Sequence, residues 1–145
     1  PRDERPMVNE GTPIFRNMKF ENIVCHGANK GIFVRGLPEM PIENILMENL
    51  TLQTEMGAEL VDTKGISIKN AQLHSVKTKP VVSVLNSSLL SFDAIQYAQN
   101  SELLFSINGN RTQNISVKNT EFKNAKTKAE LSEGASEKEL MISNK

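Results

Sequence analysis

The chain has 145 residues, enough for one domain with its own core. Lysine plus arginine and aspartate plus glutamate each number 17, so the formal net charge is zero, without the basic excess expected of a nucleic-acid binder. No apolar run approaches the length of a membrane span, and a single cysteine, Cys25, leaves no internal disulfide to form.

The chain opens on a polar stretch, residues 1–12, read as an extension ahead of a folded region over 13–145. It has no initiator methionine and no signal-peptide core, so the chain is expected to be a processed product or an excised piece. From residue 18 onward it repeats. Met18-Lys-Phe-Glu-Asn22-Ile-Val-Cys25 is followed by Ile45-Leu-Met-Glu-Asn49-Leu-Thr-Leu52 and Ile66-Ser-Ile-Lys-Asn70-Ala-Gln-Leu73. Leu90-Ser-Phe-Asp-Ala94-Ile-Gln-Tyr97 and Ile115-Ser-Val-Lys-Asn119-Thr-Glu-Phe122 continue the series, and Leu140-Met-Ile-Ser-Asn144 begins a sixth unit. The shared position falls at 22, 49, 70, 94, 119 and 144, at spacings of 27, 21, 24, 25 and 25 residues. Constant units joined by variable loops are the signature of a solenoid.

The alternation inside a unit supplies its geometry. Ile45 and Met47 lie four and two positions before Asn49, whereas Leu50 and Leu52 lie one and three positions after it. The inward parity therefore switches at the asparagine. In a flat strand that slip would turn the second half of the core outward. It is accommodated when the chain bends through one residue in the left-handed region, which asparagine tolerates. Each unit is thus two short strands and a one-residue corner. Stacked corners place Asn22, Asn49 and Asn70 in a ladder of side-chain amides, which Ala94 interrupts and Asn119 and Asn144 resume.

A third strand is expected between units: Lys30–Gly36, Gly57–Asp62, Pro80–Leu85, Glu102–Ile107 and Ala129–Ser132. Three strands per coil, with coils about 4.8 Å apart, give an all-β, right-handed parallel β-helix of about six coils, roughly 29 Å long. Leucine-rich repeats are excluded because their asparagine sits three positions after the preceding apolar residue, and no helical pattern fills the return. Helical repeats are excluded because the apolar period is 2. The charged stretch Lys123 to Lys138 is kept in the fold, since Ala129 and Leu131 alternate as the other third strands do.

The run from Pro13 to Ile45, with its turn Gly36-Leu-Pro-Glu-Met-Pro41, closely resembles bacterial members of the polygalacturonase-like glycoside hydrolases, family 28. Gly65-Ile-Ser-Ile-Lys-Asn70 fits the same comparison, and the resemblance covers about residues 12 to 144. It implies a pectin-lyase-like β-helix, the C-terminal part of an inverting enzyme acting on galacturonan-type pectic chains. It also implies a secreted or periplasmic parent protein. The family's active site carries Asn-x-Asp, Asp-Asp, Gly-His-Gly and Arg-x-Lys, and an inverting glycosidase needs one carboxylic acid and one carboxylate across the sugar. None of the four motifs occurs here, and the only aspartates are Asp3, Asp62 and Asp93. No catalytic residue is carried over, so this chain alone is expected to be inactive. A non-catalytic carbohydrate-binding or interaction module is the alternative.

The resemblance places the cleft on the third-strand face. Its outward positions are Lys30, Phe33, Arg35, Glu59 and Asp62. Lys30 and Arg35 are the candidate ligands for a uronate carboxylate, the arginine in bidentate fashion, against the plainer reading of a solvated sheet face. Glu59 and Asp62 are read as solvated acids rather than an acid–base pair. His26 and His74 are read as surface histidines, Cys25 as a core residue, and the Asn-x-Ser/Thr matches as products of asparagine-rich corners. No metal or cofactor is implied. The expected partner is polysaccharide, with no nucleic acid and no membrane. An open first coil, near residues 14 to 25, is expected to drive self-association through unpaired backbone groups.

Overall fold

A computed structural model describes residues 16–143, so the extension 1–12 and the last ladder position, Asn144, lie outside the described residues. The strands are β1 (Arg16–Arg35), β2 (Ile42–Val61), β3 (Thr63–Ser75), β4 (Val82–Leu85), β5 (Ser88–Tyr97), β6 (Ser101–Asn108), β7 (Gln113–Lys118), β8 (Ala125–Ser132) and β9 (Leu140–Ser143). All the pairings between these strands are parallel. The fold is a parallel β-helix.

Two registers run the length of the stack. Met18, Ile45, Ile66, Leu90, Ile115 and Leu140 stand one over another. Ile32, Ala58, Val82, Phe105 and Ala129 do the same in the third-strand sheet. The expected six coils are thus six rungs enclosing five complete turns. The third strands fall where expected, except that β8 starts at Ala125, four residues ahead of the expected Ala129. The charged stretch continues through a short 3-10 turn, Glu137–Glu139, into β9.

The interior obeys the parity switch. Ile45, Met47, Leu50 and Leu52 are 3%, 7%, 3% and 3% exposed and share one apolar cluster. Each such side chain contributes about 1.5–3 kcal/mol by leaving water. The mid-stack is tightest, with Leu60, Ile68, Val84 and Val117 fully buried and Phe92 meeting Phe105 edge-on at 5.1 Å. The core thins at both ends of the described stack. Phe20 and Ile23, in register with Met47 and Leu50, are 41% and 38% exposed, and Ile142, in register with Val117, is 37% exposed.

The corners are left-handed, with φ of 59° at Asn22, 60° at Asn49, 56° at Asn70, 59° at Ala94 and 51° at Asn119. Asn49 Nδ2 donates to Asn22 Oδ1 at 3.1 Å, and Asn70 Nδ2 donates to Asn49 Oδ1 at 2.7 Å. At the Ala94 rung the neighbouring residue substitutes, because Asn119 Nδ2 donates to Asp93 Oδ1 at 2.8 Å.

A second column of corners, not expected from the sequence, stands five residues earlier. Asn17, Asn44, Gly65, Leu89 and Asn114 have φ of 59°, 57°, 73°, 55° and 56°. Asn44 Nδ2 donates to Asn17 Oδ1 at 3.2 Å. Gly65 turns this corner without a side chain: a Cβ there would lie 2.6 Å from Asn44 Oδ1, which would have to shift. Leu89 holds the same conformation while exposed, a position where a leucine is strained. Two one-residue corners per coil let β1 and β2 each run for 20 residues across several faces, and their pairing shifts register between His26 and Ala28.

Candidate functional site

The third-strand sheet presents two outward columns. One is Phe33, Glu59, Ser83, Ser106 and Glu130, and the next is Arg35, Val61, Leu85, Asn108 and Ser132, in which Val61 is covered and buried. Strand alternation fixes this arrangement, because the residues between them, Val34, Leu60, Val84, Ile107 and Leu131, point into the core.

Lys30 is not a free cation. Its Nζ lies 3.3 Å from Glu59 Oε1 and 4.0 Å from the centre of the Phe33 ring. The three side chains form one cluster at the strand edge. A shallow depression of about 160 Å³ lies beside it, lined also by Met56, Pro80 and Ser83. Arg35 is exposed and makes no ion pair among the described residues. The two candidate ligands therefore differ: Arg35 is open to an anion, whereas Lys30 must leave or share Glu59 to bind one.

Glu59 and Asp62 do not face each other as a pair. Asp62 Oδ1 accepts from Arg111 Nη2 at 3.4 Å, and Glu59 is held by Lys30. Each carboxylate is paired with its own cation, so the two do not form an acid–base pair. Arg111 reaches Asp62 across 49 positions of sequence, and its backbone N–H donates to Asn86 Oδ1 at 3.4 Å. The loop after β6 is thereby pinned over the ends of the two rungs below. Further along the face, Asn108 donates to Ser106 Oγ at 3.1 Å and to the Val84 carbonyl at 3.3 Å, while Ser132 donates to Asn108 Oδ1.

The turn Gly36–Pro41 closes on itself, with Leu37 N–H to the Met40 carbonyl at 3.1 Å and Met40 N–H to the Leu37 carbonyl at 3.0 Å. It sits at the end of the strand that carries Arg35. His26 and His74 are exposed on the neighbouring strand face. Cys25 is partly buried and packs against the core cluster. Among the described residues no three His, Cys, Asp or Glu side chains are grouped to hold a metal ion. No helix of the described residues is long and apolar enough to cross a membrane. Tyr97, buried with its hydroxyl donating to the Glu121 carbonyl at 2.6 Å, has its pKa raised above 10.0, chiefly because burial disfavours the phenolate.

The Lys30–Glu59 and Asp62–Arg111 pairings were outside the reach of sequence reasoning. The second corner column was not: asparagine recurs five positions before the ladder residue at 17, 44 and 114. No family model, curated protein or solved structure matches the chain.

Proposed function

We propose that this chain is the β-helix region lying C-terminal to the active centre of a polygalacturonase-like glycosidase that acts on pectic, galacturonan-type polysaccharide. The reading rests on the resemblance of residues 13–45 and on a parallel β-helix whose third-strand face carries an exposed arginine, Arg35, with no ion pair among the described residues. Its role is to extend the helix and to offer distal contacts for the polymer. Arg35 supplies the bidentate grip on a uronate carboxylate, and Lys30, held over Phe33 by Glu59, supplies a second positive charge. Without the family's aspartates the chain does no hydrolysis itself, and the parent protein is secreted or periplasmic. Phe20 and Ile23, exposed on the first described rung, favour self-association of the isolated chain through that end.

Isothermal titration with oligogalacturonate tests this reading. Binding that weakens by roughly tenfold in Arg35→Ala, a loss near 1.4 kcal/mol, and less in Lys30→Ala supports it. Absence of binding, or binding indifferent to Arg35, removes the third-strand face from substrate contact. Release of reducing sugar by the purified chain would contradict the non-catalytic assignment.

A further inference from the structure

A larger feature lies away from the third-strand face. Two depressions, of about 700 and 510 Å³, adjoin along the outward side of the second strand of each coil and share His74 as a common wall. Together they form a trough that runs with the helix axis. One end is lined by Asn29, Gln53 and Glu55, the other by Gln96, Gln99 and Asn124.

The lining mixes apolar residues such as Val76, Ala94 and Ala98 with amides and an imidazole, and the register sets where the polar ones stand. Gln53 stands over His74, one rung apart at about 4.8 Å, and Gln96 lies one rung further along in the neighbouring column, over Gln72 outside the trough. These side chains differ from the corner asparagines in one respect. The corner amides are engaged in the ladder, at Asn22, Asn49 and Asn70 for example. Among the described residues, the side chains of Gln53, His74, Gln96 and Gln99 make no hydrogen bond to the protein. Donors and acceptors are therefore presented at rung spacing with their capacity unspent.

The charge of the trough selects its occupant. No lysine or arginine lines either depression, and the ionisable acids there are Glu55 and Glu121. A polyuronate would meet carboxylates without a compensating cation. A polyhydroxylated chain without charge meets amides and imidazole that both give and accept hydrogen bonds, at a repeat close to the length of one pyranose unit. We propose that this trough is a second glycan-binding site, for a neutral, extended polysaccharide lying along the helix axis. It is distinct from the third-strand face and does not depend on a pectic substrate there.

Affinity electrophoresis of the chain in gels containing linear β-1,4-galactan, hydroxyethylcellulose or polygalacturonate tests the assignment. Retardation is expected with at least one neutral polymer. In the double variant His74→Ala/Gln96→Ala the apparent affinity for that polymer should fall roughly tenfold. Both residues are exposed, so an unchanged urea midpoint will show that the fold is intact. Lys30→Ala/Arg35→Ala should leave the neutral-polymer retardation unaltered. No retardation by either neutral polymer, or equal retardation of the His74/Gln96 variant, overturns the trough. A response to polygalacturonate alone, lost with Arg35 and not with His74, also overturns it and leaves the third-strand reading standing.

Discussion

Ala94 is the gap in the corner ladder, and filling it should stabilise the protein. Its φ of 59° is a conformation that costs an ordinary L-residue about 1–2 kcal/mol and costs asparagine less. In Ala94→Asn the new amide can donate to Asn70 Oδ1, which has no donor among the described residues, adding about 0.5 kcal/mol for an exposed hydrogen bond. The expected gain is about 1 kcal/mol, or roughly 2–4 °C in Tm for a chain of this size. Ala94→Gly separates the two contributions. It relieves the left-handed strain but supplies no amide and loses about 0.5–1 kcal/mol to backbone entropy, so it should sit near wild type. Urea unfolding followed by circular dichroism gives the order. An Ala94→Asn midpoint at or below that of wild type would refute the reasoning that the ladder and the left-handed corner act together.

Other substitutions probe other parts of the stack. Phe92→Ala should cost about 3–5 kcal/mol in denaturant unfolding, because a fully buried ring and its edge-on contact with Phe105 are lost together. Leu89→Asn should raise stability by about 1 kcal/mol by relieving a left-handed leucine on the surface, whereas Gly65→Ala should lower it by about 1–2 kcal/mol or more. Tyr97 binds its proton more tightly in the folded state than in the unfolded chain. Stability from this group is therefore complete below its unfolded pKa of 10.0 and is lost as the pH rises through its raised folded value. Tyr97→Phe should flatten that part of a stability-versus-pH curve. Sedimentation velocity at rising concentration should show association of the isolated chain that weakens in Phe20→Ser/Ile23→Ser, and a strict monomer at every concentration would exclude self-association through the first rung.

The fold was legible because solenoid repeats write their geometry in local sequence. The interval between Met47 and Leu50 is odd where a flat strand would make it even, and a single left-handed residue is what absorbs the difference. The earlier corner was harder to see. At Gly65 and Leu89 the sequence departs from asparagine, so only the rungs at 17, 44 and 114 carry the mark. Leu89 is held left-handed by its neighbours on the stack, a case of tertiary structure overriding local preference. The candidate site was legible only as a list of outward residues. Which of them neutralise one another depends on rung-to-rung contacts: Lys30 meets Glu59 one coil away and Arg111 meets Asp62 two coils away. The trough was invisible as a unit, because Gln53, His74 and Gln96 lie in three different repeats and only stacking brings them onto one face, Gln53 over His74 and Gln96 in the neighbouring column.

Thiol reactivity along one unit measures the parity switch itself. With Cys25 replaced by alanine, single cysteines at each position from 45 to 52 are exposed to a thiol reagent in the native state. Positions 46, 48, 49 and 51 should react quickly, and 45, 47, 50 and 52 should be protected, with the alternation reversing phase across Asn49. Alternation that runs unbroken through position 49, or protection recurring every three to four residues, would contradict a β-helix turned at that corner.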